Sequence, residues 1–157
     1  MSRTLIVMRH AKAEPSAPAD FERELTDRGH RDATAAGRWL AAQGVLPTHV
    51  LVSGAARTRQ TWEDVALGAE WPLGLAVYDD GLYSASTTTV VDMINELTGT
   101  ILLIGHNPTM AGLVQHLDDG ASDFLVLDYP TSAVTLLDAE SLEPASGRIT
   151  GFFTPAR

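Results

Sequence analysis

The chain has 157 residues, 45% hydrophobic and 20% charged, with no cysteine; it is long enough for one ordinary globular core, and a disulfide scaffold, a thiolate zinc site and a cysteine nucleophile are excluded. Twenty acidic against eleven basic residues give a net charge of −9, which argues against a nucleic-acid partner, because such a surface must displace counterions with positive charge. The longest apolar runs, 5–8, 50–52 and 101–104, are too short to cross a bilayer, and residues 1–4 carry no signal-peptide pattern, so a cytoplasmic protein with no membrane partner is expected.

In chain order, residues 4–8 read as a buried strand. Residues 26–43 read as a helix, with Thr26 as N-cap and Gly44 just past the end. A second buried strand covers 48–53, a helix 55–67 and a short strand 75–78. A helix at 86–97 places Val90, Val91, Ile94 and Leu97 on one face. Then come a continuous apolar strand at 100–105, a helix at 108–117 with Pro108 in its first turn, and strands at 133–137 and 148–153. Apolar strands without alternation, interleaved with helices, predict an α/β fold: a three-layer αβα sandwich on a mostly parallel sheet. The last two strands follow one another without a helix, so one of them is antiparallel. No repeat or linker divides the chain, and residues 1–157 are expected to form one domain, as a monomer.

The charge is unevenly spread. Residues 1–78 hold nine of the eleven Lys and Arg and nine of the twenty acids, so the whole −9 lies in residues 79–157. No Lys or Arg occurs from 60 to 147, and ten of the eleven bases are Arg. Three strong strands end in cationic or imidazole side chains. The first runs into Arg9-His10, the second into Ser53-Gly54-Ala55-Ala56-Arg57, and the apolar run 101–104 into Gly105-His106-Asn107-Pro108. In open α/β sheets, ligands bind beyond the carboxyl ends of the strands. Two of these clusters also open helices, whose free N–H groups favour anions. Arg9, Arg57, His10 and His106 with two helix N-termini describe a phosphate pocket.

Arg9-His10-Ala11 after the first strand resembles the signature of the histidine phosphatase superfamily, which includes the phosphoglycerate mutases. The resemblance continues through Arg23-Glu24-Leu25-Thr26-Asp27-Arg28-Gly29, Ser53-Gly54-Ala55-Ala56-Arg57-Thr58-Arg59-Gln60-Thr61 and Gly105-His106-Asn107-Pro108. It covers nearly the whole chain, and the short length and the His-Asn-Pro turn are most similar to the SixA-type phosphohistidine phosphatases. It implies a phosphoglycerate mutase-like fold, a phosphatase needing no cofactor, and a phosphohistidine-bearing protein or small phosphorylated substrate as partner.

The same resemblance implies that His10 is the nucleophile, attacking phosphorus while neutral to form a phosphohistidine intermediate that water hydrolyses. Neighbouring guanidiniums disfavour its protonation, and its other ring nitrogen is expected to donate to a backbone carbonyl. Arg9 and Arg57 would hold the phosphoryl oxygens through planar forks. His106 would donate to them, most usefully while protonated. Arg23 and Asn107 are the expected substrate-binding residues, although Arg23 sits in Phe21-Glu22-Arg23-Glu24, where a surface ion pair is also natural. The charged side chains replace a metal, and none is expected.

One departure concerns the general acid. Where superfamily relatives carry a glutamate, this chain reads Asp79-Asp80-Gly81-Leu82-Tyr83-Ser84-Ala85. Asp79, Asp80, Ser84 or no residue at all could serve. An alkoxide leaving group needs such an acid, whereas a phosphorylated imidazole needs less help, which favours a phosphoramidate substrate. The short loops at 11–22 and 79–86 imply an open pocket. The alternatives are a small-molecule phosphomonoesterase of the same fold and a non-catalytic module that binds a phosphorylated ligand. His30, His49 and His116 are expected to be structural or solvated, and Trp39, Trp62 and Trp71 to be core or interface residues.

Overall fold

A computed structural model describes residues 2–121 and 129–155. Strands β1 (Arg3–Arg9), β2 (His49–Ser53), β3 (Ala76–Asp79), β4 (Gly99–Gly105), β5 (Val134–Ala139) and β6 (Gly147–Phe153) alternate with helices α1 (Asp27–Ala42), α2 (Ala56–Ala69), α3 (Thr87–Ile94) and α4 (Thr109–Leu117). Among the described residues the strands form one six-stranded sheet in the order β3-β2-β4-β1-β5-β6. β1 to β4 pair in parallel, β5 runs antiparallel to β1, and β6 antiparallel to β5. The mostly parallel sheet with one reversed strand is what the pattern of runs predicts.

The central strands read as continuous apolar runs because both of their faces are covered. Leu5, Val7, Ile101 and Leu103 point into one core with Val90 and Ile94 of α3 and Leu113 of α4. Ile6, Met8, Leu102 and Ile104 point into the other, with Ala36 and Leu40 of α1 and Trp62 and Val65 of α2. Trp62 is completely buried, and its indole N–H donates to Leu73 O at 3.0 Å. Trp39 and Trp71 pack on the edge of the same core. No helix among the described residues is long and apolar enough to cross a membrane.

The helix ends follow local chemistry. Thr26 caps α1 by accepting from the Gly29 N–H, and Ser86 caps α3 by accepting from Thr89. Gly44 lies past α1 with φ +75°. α2 runs two residues beyond the expected 67 and is closed by Glu70 at φ 60°, where no glycine signals the stop. α3 ends at Ile94, short of 97, and α4 starts at Thr109 with Pro108 as its cap rather than in its first turn. Short 3-10 turns at Asp20–Glu22, Leu73–Leu75 and Asp80–Leu82 were not legible as elements.

The strand order matters most for function. β2, β4 and β1 are adjacent, so their carboxyl ends stand side by side, each about 5 Å from the next. His10, Ser53 and His106 therefore meet without a long loop. α2, which carries Arg57, is set against α1 by glycine: a Cβ on Gly37 would lie 2.2 Å from Val65 O, and one on Gly68 2.1 Å from Thr34 O. Gly37→Ala should therefore destabilise the fold by about 1–3 kcal/mol, while Gly74→Ala, with open space around it, stays within about 0.5 kcal/mol. Urea unfolding of the two variants checks this; equal midpoints would contradict the close-packed interface.

Candidate active site

The backbone around His10 is fixed from several sides. Its N–H donates to Gly105 O at 3.0 Å, and its carbonyl accepts from the Ser132 N–H at 3.0 Å. The next amide, Ala11 N–H, donates to Thr61 Oγ1, whose own hydroxyl donates to Arg57 O. β4, α2 and the turn before β5 thus all hold the end of β1. The His10 ring is buried, with Nδ1 2.7 Å from Ala11 O. A carbonyl oxygen has no proton to give, so Nδ1 is the donor and Nε2 of the neutral ring keeps its lone pair.

His106, at the end of β4, lies beside it with ring centroids 5.4 Å apart. Its Nε2 is 2.8 Å from Ser53 Oγ, at the end of β2. Ser53 is fully buried, and its carbonyl accepts from Thr58 Oγ1 at 2.6 Å. Tyr83 meets the His106 ring edge-on at 5.4 Å. The His106 Nδ1 atom is buried and finds no partner among the described residues.

The guanidiniums surround the two rings. Arg9 Nη1 donates to Tyr129 O at 3.1 Å, and Asn107 Nδ2 donates to the same oxygen at 2.8 Å. Tyr129 is itself buried, with its hydroxyl on Val7 O at 2.5 Å and on Thr135 Oγ1 at 2.7 Å. Arg57, in the first turn of α2, is buried and donates from Nη1 to Asp20 O at 2.8 Å and from Nη2 to Asp20 Oδ2 at 3.0 Å. Its Nε has no partner among the described residues. Arg23 donates from Nη1 to Asp20 Oδ1 at 2.9 Å and from Nε to Glu14 O at 2.7 Å. The Tyr83 hydroxyl also donates to the Asp20 carboxylate.

The structure brings all six sequence-derived residues to one edge of the sheet. Arg23 does form the ion pair its surroundings suggested, but its partner also bridges to Arg57, which ties the pair into the site. Asn107 spends both ends of its amide on backbone, on Tyr129 O and on the Ala111 N–H. Asp20, Ser53 and Tyr83 had no role in the expected site. The available signals were a carboxylate three residues before Arg23, a serine directly at a strand end, and a tyrosine between Asp80 and Ser84. Of the candidate acids, Asp79 caps the 3-10 turn by accepting from Gly81 N–H at 2.8 Å. Asp80 packs against Gly54, where a Cβ would lie 1.8 Å from its carboxylate oxygen. Ser84 is exposed.

Burial and positive charge act together on the imidazoles. His10 is lowered from 6.5 to about 3, chiefly by burial and also by the neighbouring His106, Arg57 and Arg9, against the opposing hydrogen bond to Ala11. The guanidiniums act in the expected direction, but desolvation outweighs them. His106 is lowered to about 4, again chiefly by burial, then by Arg57. In the free protein it is therefore neutral at pH 7. Asp20 is held far below the usual carboxylate range by its hydrogen bonds from Tyr83, Arg23 and Arg57.

The remaining histidines lie away from this edge. His30 Nδ1 pairs with Asp64 at 2.6 Å, and His116 Nε2 accompanies Leu142 O at 3.1 Å. A groove of about 780 Å³ at the far end of α2 has Leu67, Trp71 and Leu73 in its walls beside Glu63, Asp64 and Glu70. Its carboxylates would repel a phosphate.

The histidine phosphatase superfamily (branch 1) model matches residues 5–82. The chain is 34% identical to an uncharacterized protein of Mycobacterium tuberculosis over 94% of this chain and 99% of that one. It is 31% identical to the phosphohistidine phosphatase SixA of Escherichia coli over 84% of each. Its fold is similar to that of the protein histidine phosphatase SixA complexed with tungstate, with a TM-score of 0.79, 26% identity and 97% of each chain covered.

Because the folded histidines bind protons less readily than unfolded ones, the unfolded state carries more protons as the pH falls below about 6.5. The stability associated with neutral His10 is thus present above that pH and lost progressively towards about 3. Urea midpoints should fall between pH 7 and pH 4.5 in the wild type and fall less in His10→Asn. Equal slopes in the two proteins would contradict the buried neutral imidazole.

Proposed function

Because this chain belongs to branch 1 of the histidine phosphatase superfamily and is a phosphatase, we propose that it removes phosphoryl groups from phosphohistidine on a protein, through an intermediate on His10. The observation that carries this is the neutral His10 ring with Nδ1 committed to Ala11 O, which leaves Nε2 free to attack. His10 Nε2 forms a bond to phosphorus while the phosphorus–nitrogen bond to the substrate imidazole breaks. That ring leaves with the bonding electron pair and takes a proton from solvent. Water then attacks the phosphorylated His10, releasing inorganic phosphate and the neutral ring.

Arg9 and Arg57 hold the non-bridging oxygens, and Arg23 adds positive charge at the entrance. His106 supplies an N–H from Nδ1, with Ser53 Oγ placed to donate to Nε2 and favour that tautomer. The buried Arg57 Nε and His106 Nδ1 find their missing partners in the phosphoryl oxygens. Guanidiniums already in place stabilise the charge that develops, so no metal is needed. Asn107 acts by fixing Tyr129 O, to which Arg9 is anchored.

Support for a phosphoramidate over an alkyl phosphate comes from the acids. Asp79 is engaged as a cap and Asp20 is held ionised, so neither is a ready proton donor for an alkoxide. The 31% identity to a phosphohistidine phosphatase points the same way. A panel of a phosphohistidine-bearing protein and sugar phosphates tests the substrate class. The phosphohistidine protein should show kcat/KM at least about 100-fold higher, and His10→Ala should lose about 1000-fold or more. Preference for a sugar phosphate, or near-full activity of His10→Ala, would overturn the proposal; phosphate binding with no turnover of any substrate would favour the binding-module alternative.

A further inference from the structure

Among the described residues, Asp20 is the one carboxylate paired with the guanidiniums of the site, and three donors from three separate segments converge on it. Arg23 reaches it from the end of its own turn, Arg57 from α2 and Tyr83 from the turn before α3. Half of its side chain is exposed, so it is not buried as a core support, while its partner Arg57 is 7% exposed. Its backbone carbonyl accepts the remaining terminal nitrogen of Arg57. Asp20 thus occupies both ends of the Arg57 fork and part of the Arg23 fork. It leaves Arg57 Nε without a partner among the described residues.

We infer that Asp20 is a specificity-determining residue, whose carboxylate selects substrates in which the phosphoryl group is the only anion and disfavours those with a second negative charge beside it. The inference rests on the reading of this cluster as the phosphoryl site. Arg9, Arg23 and Arg57 contribute three positive charges and Asp20 removes one, while the imidazoles are neutral. A dianionic phosphoryl group then balances the site. A further carboxylate next to it finds Arg23 already paired and faces Asp20 itself, a like charge at close range. A phosphorylated imidazole carries no such second anion, whereas a phosphorylated hydroxy acid does. Asp20 thereby supplies a repulsive element against small acidic phosphates, as specificity usually requires.

The test is a pair of non-hydrolysable ligands of nearly equal shape, phosphonoacetamide and phosphonoacetate, titrated calorimetrically into wild type, Asp20→Asn and Asp20→Ser. The wild type should bind the amide about tenfold tighter than the carboxylate, and the ratio should shrink to about twofold or less in both variants. A purely structural role would shift both affinities together and leave the ratio unchanged. An unchanged ratio in the variants, or a wild type that binds the two equally or prefers the carboxylate, overturns the inference and leaves the phosphoryl site standing. Failure of the wild type to bind either ligand overturns both.

Discussion

Two imidazoles with centroids 5.4 Å apart, buried at the end of a mostly parallel sheet and bordered by guanidiniums, are kept neutral, each with a single ring proton. That constraint governs the site. A nucleophilic nitrogen must be unprotonated, and here burial and positive charge keep it so, while the Ala11 carbonyl selects which nitrogen is free. The same positive charge that suppresses protonation attracts the phosphoryl group. In the proposed mechanism, nucleophile activation and substrate binding therefore draw on one electrostatic arrangement.

The sheet makes this arrangement possible. Adjacent β2, β4 and β1 end side by side, so Ser53, His106 and Arg9-His10 meet at the strand ends, while Arg57 comes from the first turn of α2 and Arg23 from the connection before α1. Backbone hydrogen bonds, from the His10 N–H to Gly105 O and from the Ser132 N–H to the His10 carbonyl, clamp His10, and Tyr129 O anchors Arg9 and Asn107 together. Such over-determined positioning suits phosphoryl transfer, in which placement and charge stabilisation do most of the work.

Much of the fold was legible because its cause is local. Residues 5–8 and 101–104 are unbroken apolar runs since both sheet faces are covered, and Thr26 and Ser86 announce helix starts through their own side chains. The end of α2 was not legible, because Glu70 takes a left-handed conformation where a glycine would ordinarily mark the stop. In the site, Arg9, His10, Arg57 and His106 stood out because each follows a strand. Asp20 and Tyr83 did not, because their meaning lies in contacts across 37 and 63 residues of sequence. The charge state of His106 was also out of reach, since depth of burial is a property of the packed structure.

The uneven charge of the chain has a structural counterpart. Three of the eight arginines of the first half, Arg9, Arg23 and Arg57, gather at the site, and the base-free stretch contributes His106 and the start of α4 to the same edge. Asp20 tempers the cluster rather than cancelling it. The central claim, a covalent phosphoryl group on His10, is tested most directly by rapid alkaline quenching of the enzyme with a phosphohistidine-bearing protein, followed by mass spectrometry and phosphorus NMR. The account predicts a transient phosphorus–nitrogen adduct on His10 Nε2 that is stable in alkali and lost in acid. Turnover with no adduct on His10, or with phosphate on another residue, would contradict it.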